Sequence, residues 1–283
     1  MFLPMGIAIF MCCLLNAQED SIKYQNTRVY VIENGNKTEA FHVSNQKTFS
    51  AIDDRLIREV NFDDSTTKIQ DYTFYFYRNG KLFTEESYSG NDTLIYIIRH
   101  EYNDKGLEEN VNKLERINGI LTATAKTVYV YDSEGQILYK KEFSNKKRPF
   151  RVTHYLYSSG NLIREQQKSK KTADGIALRI IDYQYAPDGK LKSKSMSEKN
   201  TKKVISVYSE NHQYNDNGDL KIVEKKDVKG NIIVTRNFEY YANGSLRNYY
   251  ETDRDGKMLI YYSYIYKYHK INLGNQRSYF DKT

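Results

Sequence analysis

Cysteine is nearly missing from these 283 residues: Cys12 and Cys13 are the only two, and both lie within the first seventeen positions. Tryptophan is absent and proline occurs three times. After residue 17 there is no apolar run of the roughly 20 residues that a membrane-crossing helix needs. Each shortage excludes something. Past residue 13 the chain has no disulfide framework, no thiolate metal ligand and no cysteine nucleophile. The Gly-x-Ser-x-Gly elbow, the His-Glu-x-x-His helix and the phosphate-binding loop are missing as well. The sequence therefore marks no catalytic residue, no cofactor site and no metal site, and the expectation is a protein that is not an enzyme.

What the chain has in quantity is tyrosine, 27 residues of it beside 12 phenylalanines, in a composition 28% charged and 39% hydrophobic. Tyrosine favours strands and tolerates half-burial, with its ring packed and its hydroxyl wet. Thin apolar content with dense aromatics fits sheets that have a large wetted surface.

Residues 1–17, "MFLPMGIAIFMCCLLNA", carry no charge and give way to "QED". A short apolar stretch ending in a small residue reads as a signal peptide cut after Ala17, so that the mature chain starts at Gln18 and has no membrane span. The "LNAQ" junction resembles secretory signals of Bacteroidota-like bacteria. Neither cysteine sits in a lipobox-like context. Export to the periplasm, the outer cell surface or the medium is expected.

The strongest signal is a repeat. A phrase with tyrosines two apart, a turn closed by glycine and an apolar residue two further on recurs at Gly80, Gly106, Gly135, Gly160, Gly189, Gly218 and Gly244, spaced 25 to 29 residues apart. In "YRNGKL", "YSSGNL" and "YANGSL" the last tyrosine stands three before the glycine, as in a two-residue type I′ hairpin. In "YNDKGL", "YDSEGQI", "YAPDGKL" and "YNDNGDL" it stands four before, the spacing of a longer bulged hairpin. Both turn forms ask for glycine on backbone grounds.

Period two puts Tyr75 with Tyr77, Tyr129 with Tyr131, Tyr155 with Tyr157, and Tyr183 with Tyr185 on one face of their strands. His212 with Tyr214, and Glu239 with Tyr241, read as degraded copies. Leu82, Ile137, Leu162, Leu191, Leu220 and Leu246 follow two after their glycines; the second unit departs, with Leu107 directly after Gly106. A second, looser turn follows in each unit, at Gly90, Gly119, near Asn145, at Gly175, near Asn200, and at Gly230 and Gly256.

The expected fold is all-β: an elongated antiparallel array of hairpins, either a curved single sheet or solenoid-like, with a closed β-barrel as the alternative. The expected organisation is a leader over 1–17, an atypical amino-terminal cap over 18–70, about seven repeats over 71–270 and a tail over 271–283. A short helix is possible in "SAIDDRLIREV", residues 50–60, and "MLIYYSYIYKYHK" reads as a last strand.

At "YVYDSEGQIL", "YQYAPDGKL" and "HQYNDNGDL" the chain resembles the YD repeats of the RHS family, whose pattern is Tyr-x-Tyr-Asp-x-x-Gly-x-Leu. Only Asp132 supplies the aspartate of that pattern. "YRNGKL" and "YANGSL" lean toward MORN-like repeats. The RHS resemblance, over about residues 70 to 270, implies β-hairpins in a curved or spiralling sheet; no toxin domain follows the repeats.

The five histidines offer no metal-binding spacing, and His100 and His212, in the place of the first repeat tyrosine, read as strand residues packed among aromatics. The acidic turns "TDRDGK" and "YNDNGD" are explained by turn geometry, since no bidentate glutamate stands where a calcium loop needs one. The formal charge of +7 concentrates in "KKEFSNKKRPFR" and "REQQKSKK". Lysines there keep sheet edges soluble and suit an anionic polymer or surface, while export argues against nucleic acid.

The leading expectation is a non-catalytic binding or structural module of the envelope, with an envelope protein, a glycan or an anionic polymer as partner. The tyrosine rows are its candidate surface, unless they mainly stack on one another across strands. The alternatives are an enzyme with a site in residues 18–70 and an outer-membrane barrel.

Overall fold

The structure, a computed structural model, describes residues 21–50, 53–63, 68–169, 178–199 and 204–270. The leader with Cys12 and Cys13, the turns at Gly175 and Asn200, and the tail lie outside the described residues. Eighteen strands run in chain order. The first six are β1 (Ser21–Glu33), β2 (Asn36–Phe49), β3 (Leu56–Phe62), β4 (Ile69–Arg78), β5 (Lys81–Ser89) and β6 (Leu94–Tyr102). Next come β7 (Glu108–Ile117), β8 (Ile120–Tyr131), β9 (Ile137–Ser144), β10 (Arg151–Ser158), β11 (Asn161–Ser169) and β12 (Leu178–Tyr185). The last six are β13 (Leu191–Lys199), β14 (Val204–Tyr214), β15 (Leu220–Lys226), β16 (Ile232–Tyr240), β17 (Leu246–Asp253) and β18 (Met258–Lys270).

Each strand pairs antiparallel with its neighbours in sequence, and β18 returns to β1 in register from Ser21↔Lys270 to Val29↔Tyr262. The sheet is therefore a closed 18-stranded up-and-down β-barrel. This is the alternative that the sequence allowed, and it replaces the open array: closure removes the two free edges that an array of this length would leave at β1 and β18. Residues 21–62 supply three of the barrel's staves and do not form a separate cap. Leu56–Phe62, which overlaps the segment with helical pattern, is strand β3, because Val60 and Arg58 pair with Gln46 and Thr48 of β2 on one side and with Tyr72 and Phe74 of β4 on the other.

The seven repeat glycines all have positive φ and lie on one rim, where β1 begins and β18 ends. Asn79–Gly80 and Ser159–Gly160 make two-residue turns with positive φ at both positions, closed by the pairs Arg78↔Lys81 and Ser158↔Asn161. Gly244 departs from its expected class. Tyr241 N–H donates to the Ser245 carbonyl and Tyr240 pairs with Leu246, so the turn is the longer, bulged kind found at Gly135 and Gly218. The reason is facing: Phe238 and Tyr240, not Glu239 and Tyr241, continue the tyrosine row.

Following the register around the barrel, all the repeat tyrosines fall on one continuous face. Mid-strand residues that are exposed, such as Arg99, Glu101, Lys126, His154, Leu156, Arg164 and Glu239, fall on the other. Side chains converge and shield one another on the concave side of a closed sheet, so the tyrosine face is the interior. Bulges beside the turns, as between Val130↔Tyr139 and Tyr131↔Ile137, add the twist that closure needs.

Candidate functional site

The interior wall is built from a recurring bond. The last tyrosine of each hairpin's first strand donates its hydroxyl to a backbone carbonyl at the start of the strand before it. Tyr102 reaches Leu82 at 2.7 Å, Tyr131 reaches Glu108 at 2.6 Å, Tyr185 reaches Leu162 at 2.9 Å, Tyr214 reaches Leu191 at 2.9 Å and Tyr240 reaches Leu220 at 2.9 Å. Tyr77 does the same to Leu56, and Tyr157 meets the backbone of Ile137. Within the repeats the acceptor is the residue two after the preceding unit's glycine, so the two most persistent marks of the repeat meet between consecutive units. The bond uses a carbonyl, which is why Glu108 can replace leucine in the second unit. Each bond contributes about 1 kcal/mol.

One level deeper stand the first tyrosines. Their cross-strand partners are charged: Tyr75↔Glu85, Tyr129↔Lys140, Tyr155↔Glu165 and Tyr183↔Lys194. The Tyr75 hydroxyl donates to Glu59 at 3.1 Å and that of Tyr183 to Glu165 at 2.7 Å. The hydroxyls of Tyr129 and Tyr155 have no hydrogen-bond partner among the described residues. Burial raises the pKa of both phenols, that of Tyr155 to about 12.

Cross-strand stacking of these tyrosines is not what the structure contains. None of Tyr75, Tyr77, Tyr129, Tyr131, Tyr155, Tyr157, Tyr183 and Tyr185 has an aromatic ring partner among the described residues. Stacked pairs belong to the outer face instead, with Tyr72 on Tyr88 at 5.3 Å and Tyr250 on Tyr261 at 5.6 Å.

The two histidines have carboxylate neighbours that spacing alone does not reveal. His100, 9% exposed, places Nδ1 2.6 Å from Glu108 and Nε2 2.9 Å from Glu85. Two carboxylate neighbours favour the ring with two N–H donors, and the hydrogen bond to Glu85 is the largest cause of its raised pKa. His212 sits beside a different cluster. Glu210, 3% exposed, takes Lys194 at 2.9 Å and Arg236 at 3.3 Å, and Arg236 also reaches Glu251 at 3.3 Å. His212 Nε2 lies 3.8 Å from Glu210, without a hydrogen bond, and burial lowers its pKa.

Sequence reasoning reads Glu85, beside Glu86, as part of a solvated face and gives no sign of Glu108, Glu210 or Arg236. A signal existed for the first: the residue five after each glycine faces the first tyrosine, and it reads Glu, Val, Lys, Glu, Lys, Val and Tyr around the barrel. Among the described residues no three His, Cys, Asp or Glu side chains are grouped to hold a metal. The open concavities lie between turns, one along Asn215, Asp219, Tyr240 and Tyr241. The arrangement offers ring faces, hydroxyls and paired charges along a curved wall. That suits binding.

No protein-family model matches this chain, and no curated protein matches it. Among solved structures, it is similar at a TM-score of 0.38 and 11% identity to a porin-like protein from Bacteroides uniformis, over 90% of this chain and 98% of that one. A TcdB2-TccC3 structure matches at a TM-score of 0.31 and 12% identity over 81% of this chain, which spans only 15% of that one. A DUF1329 family protein from Desulfovibrio piger matches at a TM-score of 0.20 and 10% identity, over 96% of this chain and 93% of that one. At these scores the likenesses carry no functional argument, and the fold rests on this chain's own sheet.

Proposed function

We propose that the protein is an exported, envelope-associated, non-catalytic barrel whose tyrosine-lined interior binds a carbohydrate polymer. The observation that carries the reading is that Tyr129 and Tyr155, on the interior face, have neither an aromatic ring partner nor a hydrogen bond to the hydroxyl among the described residues. Aromatic faces bury a sugar's C–H surface with little loss of side-chain freedom, and flanking Glu, Lys and Gln side chains match its hydroxyls. The kinship to RHS-type repeats belongs to the same proposal, as a source of hairpin architecture and not of a toxin-related role.

The test is calorimetric titration of the purified chain with neutral and anionic oligosaccharides. The Tyr129→Ala/Tyr155→Ala double variant should lose binding while keeping its circular dichroism. Binding that survives the double variant would place the ligand elsewhere, and no binding to any saccharide would reject the reading.

A second reading, a barrel set in the outer membrane, has the closed sheet and the aromatic outer sector of Tyr72, Phe74, Phe76 and Tyr88 in its favour. Such barrels carry an apolar outer band, and a lysine or arginine at mid-depth costs about 2–4 kcal/mol. The outer face here bears Arg99, Arg164, Asp182 and Glu224 on mid-strand positions. The aqueous form is therefore the one proposed; a chain that stays monomeric only in detergent would favour the membrane form.

A further inference from the structure

The two rims of the barrel differ. Exposed large apolar side chains gather at the rim opposite the repeat glycines. Ile120 at 70% and Val228 at 63% exposure stand at hairpin tips, with Ile117, Phe150, Ile233 and Leu259 at or beside other connections of the same rim. The glycine rim has fewer, among them Phe83 and Leu138. The densest group of cations on the rim opposite the glycines stands at one connection, while the other described connections of that rim expose Asp63, Asp92 and Asp255. The connection between β9 and β10 exposes Lys146, Lys147 and Arg148 with no acidic residue between Ser144 and Phe150, and none of the three makes an ion pair among the described residues. Lys168 and Lys199, both exposed, end β11 and β13 nearby. At the glycine rim the turns interleave Asp104, Asp132, Glu134, Asp188 and Asp216 with Lys81, Lys105 and Lys190, and two of these lysines are tied to neighbouring turns, Lys81 to Gly106 O and Lys105 to Ser133 O.

We infer that the rim remote from the glycine turns is a docking edge for an anionic lipid surface, with Ile120 and Val228 entering the headgroup region and Lys146, Lys147 and Arg148 facing the lipid phosphates. Apolar tips and unpaired cations on one edge are the pair of features that interfacial binding needs: burial of apolar area plus attraction to anionic headgroups. Solubility alone accounts for the lysines but not for bare Ile and Val at other tips of the same rim. The barrel axis then stands across the membrane surface, with the interior opening onto it. This inference does not depend on what the interior holds.

The test is sedimentation of the purified chain with phosphatidylcholine vesicles, with and without added phosphatidylglycerol. Binding should require the anionic lipid and weaken as salt rises. Lys146→Glu/Lys147→Glu should weaken it about five-fold or more per cation removed. Ile120→Asn/Val228→Asn should weaken it comparably, and Lys105→Glu on the other rim should change it little. All these sites are exposed, so folding is expected to survive, and circular dichroism checks it. If the Ile120→Asn/Val228→Asn variant binds as tightly as the parent, or if soluble polyphosphate is bound as well as vesicles, the rim is a polyanion site and the lipid inference is overturned. Absence of any vesicle binding overturns it as well.

Discussion

His100 and His212 hold the same place in two units of one barrel, and each faces a valine across the strand, Val111 and Val223. The wall nevertheless treats them in opposite ways. Around His100 the neighbours on β5 and β7 are carboxylates with no other ion pair among the described residues, so the ring gains two acceptors that favour its charged form. Around His212 the one near carboxylate, Glu210, is already occupied by Lys194 and Arg236, and these cations add to burial in keeping the ring neutral. The repeat sets where a side chain points. The residues one strand away set its charge.

The largest expected effect tests the crowded side of this comparison. Glu210→Gln leaves Lys194 and Arg236 without their buried carboxylate and should cost about 3–5 kcal/mol in urea unfolding. Glu85→Gln should cost less, about 1–2 kcal/mol, because His100 keeps Glu108 and can shed its proton. Equal losses would break the contrast.

Next in size is restoration of the repeat tyrosine. His100→Tyr strands Glu85 and Glu108 and should destabilise by about 2–3 kcal/mol, whereas His212→Tyr gives up no hydrogen bond and should stay within about 1 kcal/mol of the parent. Reversed outcomes would show that the histidines answer to their strands and not to their charged neighbours.

Turn variants give a scale independent of either histidine. Gly135→Val and Gly189→Val force a branched residue into positive φ, +86° and +82°, and should each cost about 1–3 kcal/mol, with hydrogen exchange rising mainly in the flanking strands. Space is not the cause at Gly189, where an added Cβ meets nothing within 4 Å.

The smallest effect is the pH dependence, and its two signs differ. His100 has a pKa raised above 6.5, so its stabilisation is complete below that value and is lost as pH rises through the folded pKa. His212 has a lowered pKa, so its contribution is complete above 6.5 and is lost as the medium is acidified toward the folded pKa. His100→Tyr should flatten the alkaline limb of stability against pH and His212→Tyr the acid limb. NMR titration of the two imidazoles checks the directions separately.

Much of the barrel was legible in the chain. The tyrosine rows, the seven turns and an all-β hairpin plan follow from period two and from glycine's tolerance of positive φ. Closure was not, because an open array and a closed one share the same local pattern; only the pairing of Ser21–Val29 with Tyr262–Lys270 distinguishes them. The Gly244 turn was misjudged because Tyr240 and Tyr241 are adjacent, and spacing cannot say which of two tyrosines faces inward. The clusters at His100 and His212 escaped notice because their members come from different strands. Glu108 was doubly hidden, standing where the repeat has leucine.

The central claim is the closed sheet that turns the tyrosines inward, and cysteine scarcity makes it directly testable. Thr27 and Tyr264 are paired across the β1–β18 junction, at the Cα separation of antiparallel partners, about 4.5–5.5 Å, which a disulfide spans. Thr27→Cys/Tyr264→Cys, made in the chain starting at Gln18, should form one intramolecular disulfide on mild oxidation. The product should be a faster-migrating monomer on non-reducing gels, with raised resistance to urea. Free thiols or intermolecular dimers in a folded protein would mean that β1 and β18 do not meet, and that the chain is an open array.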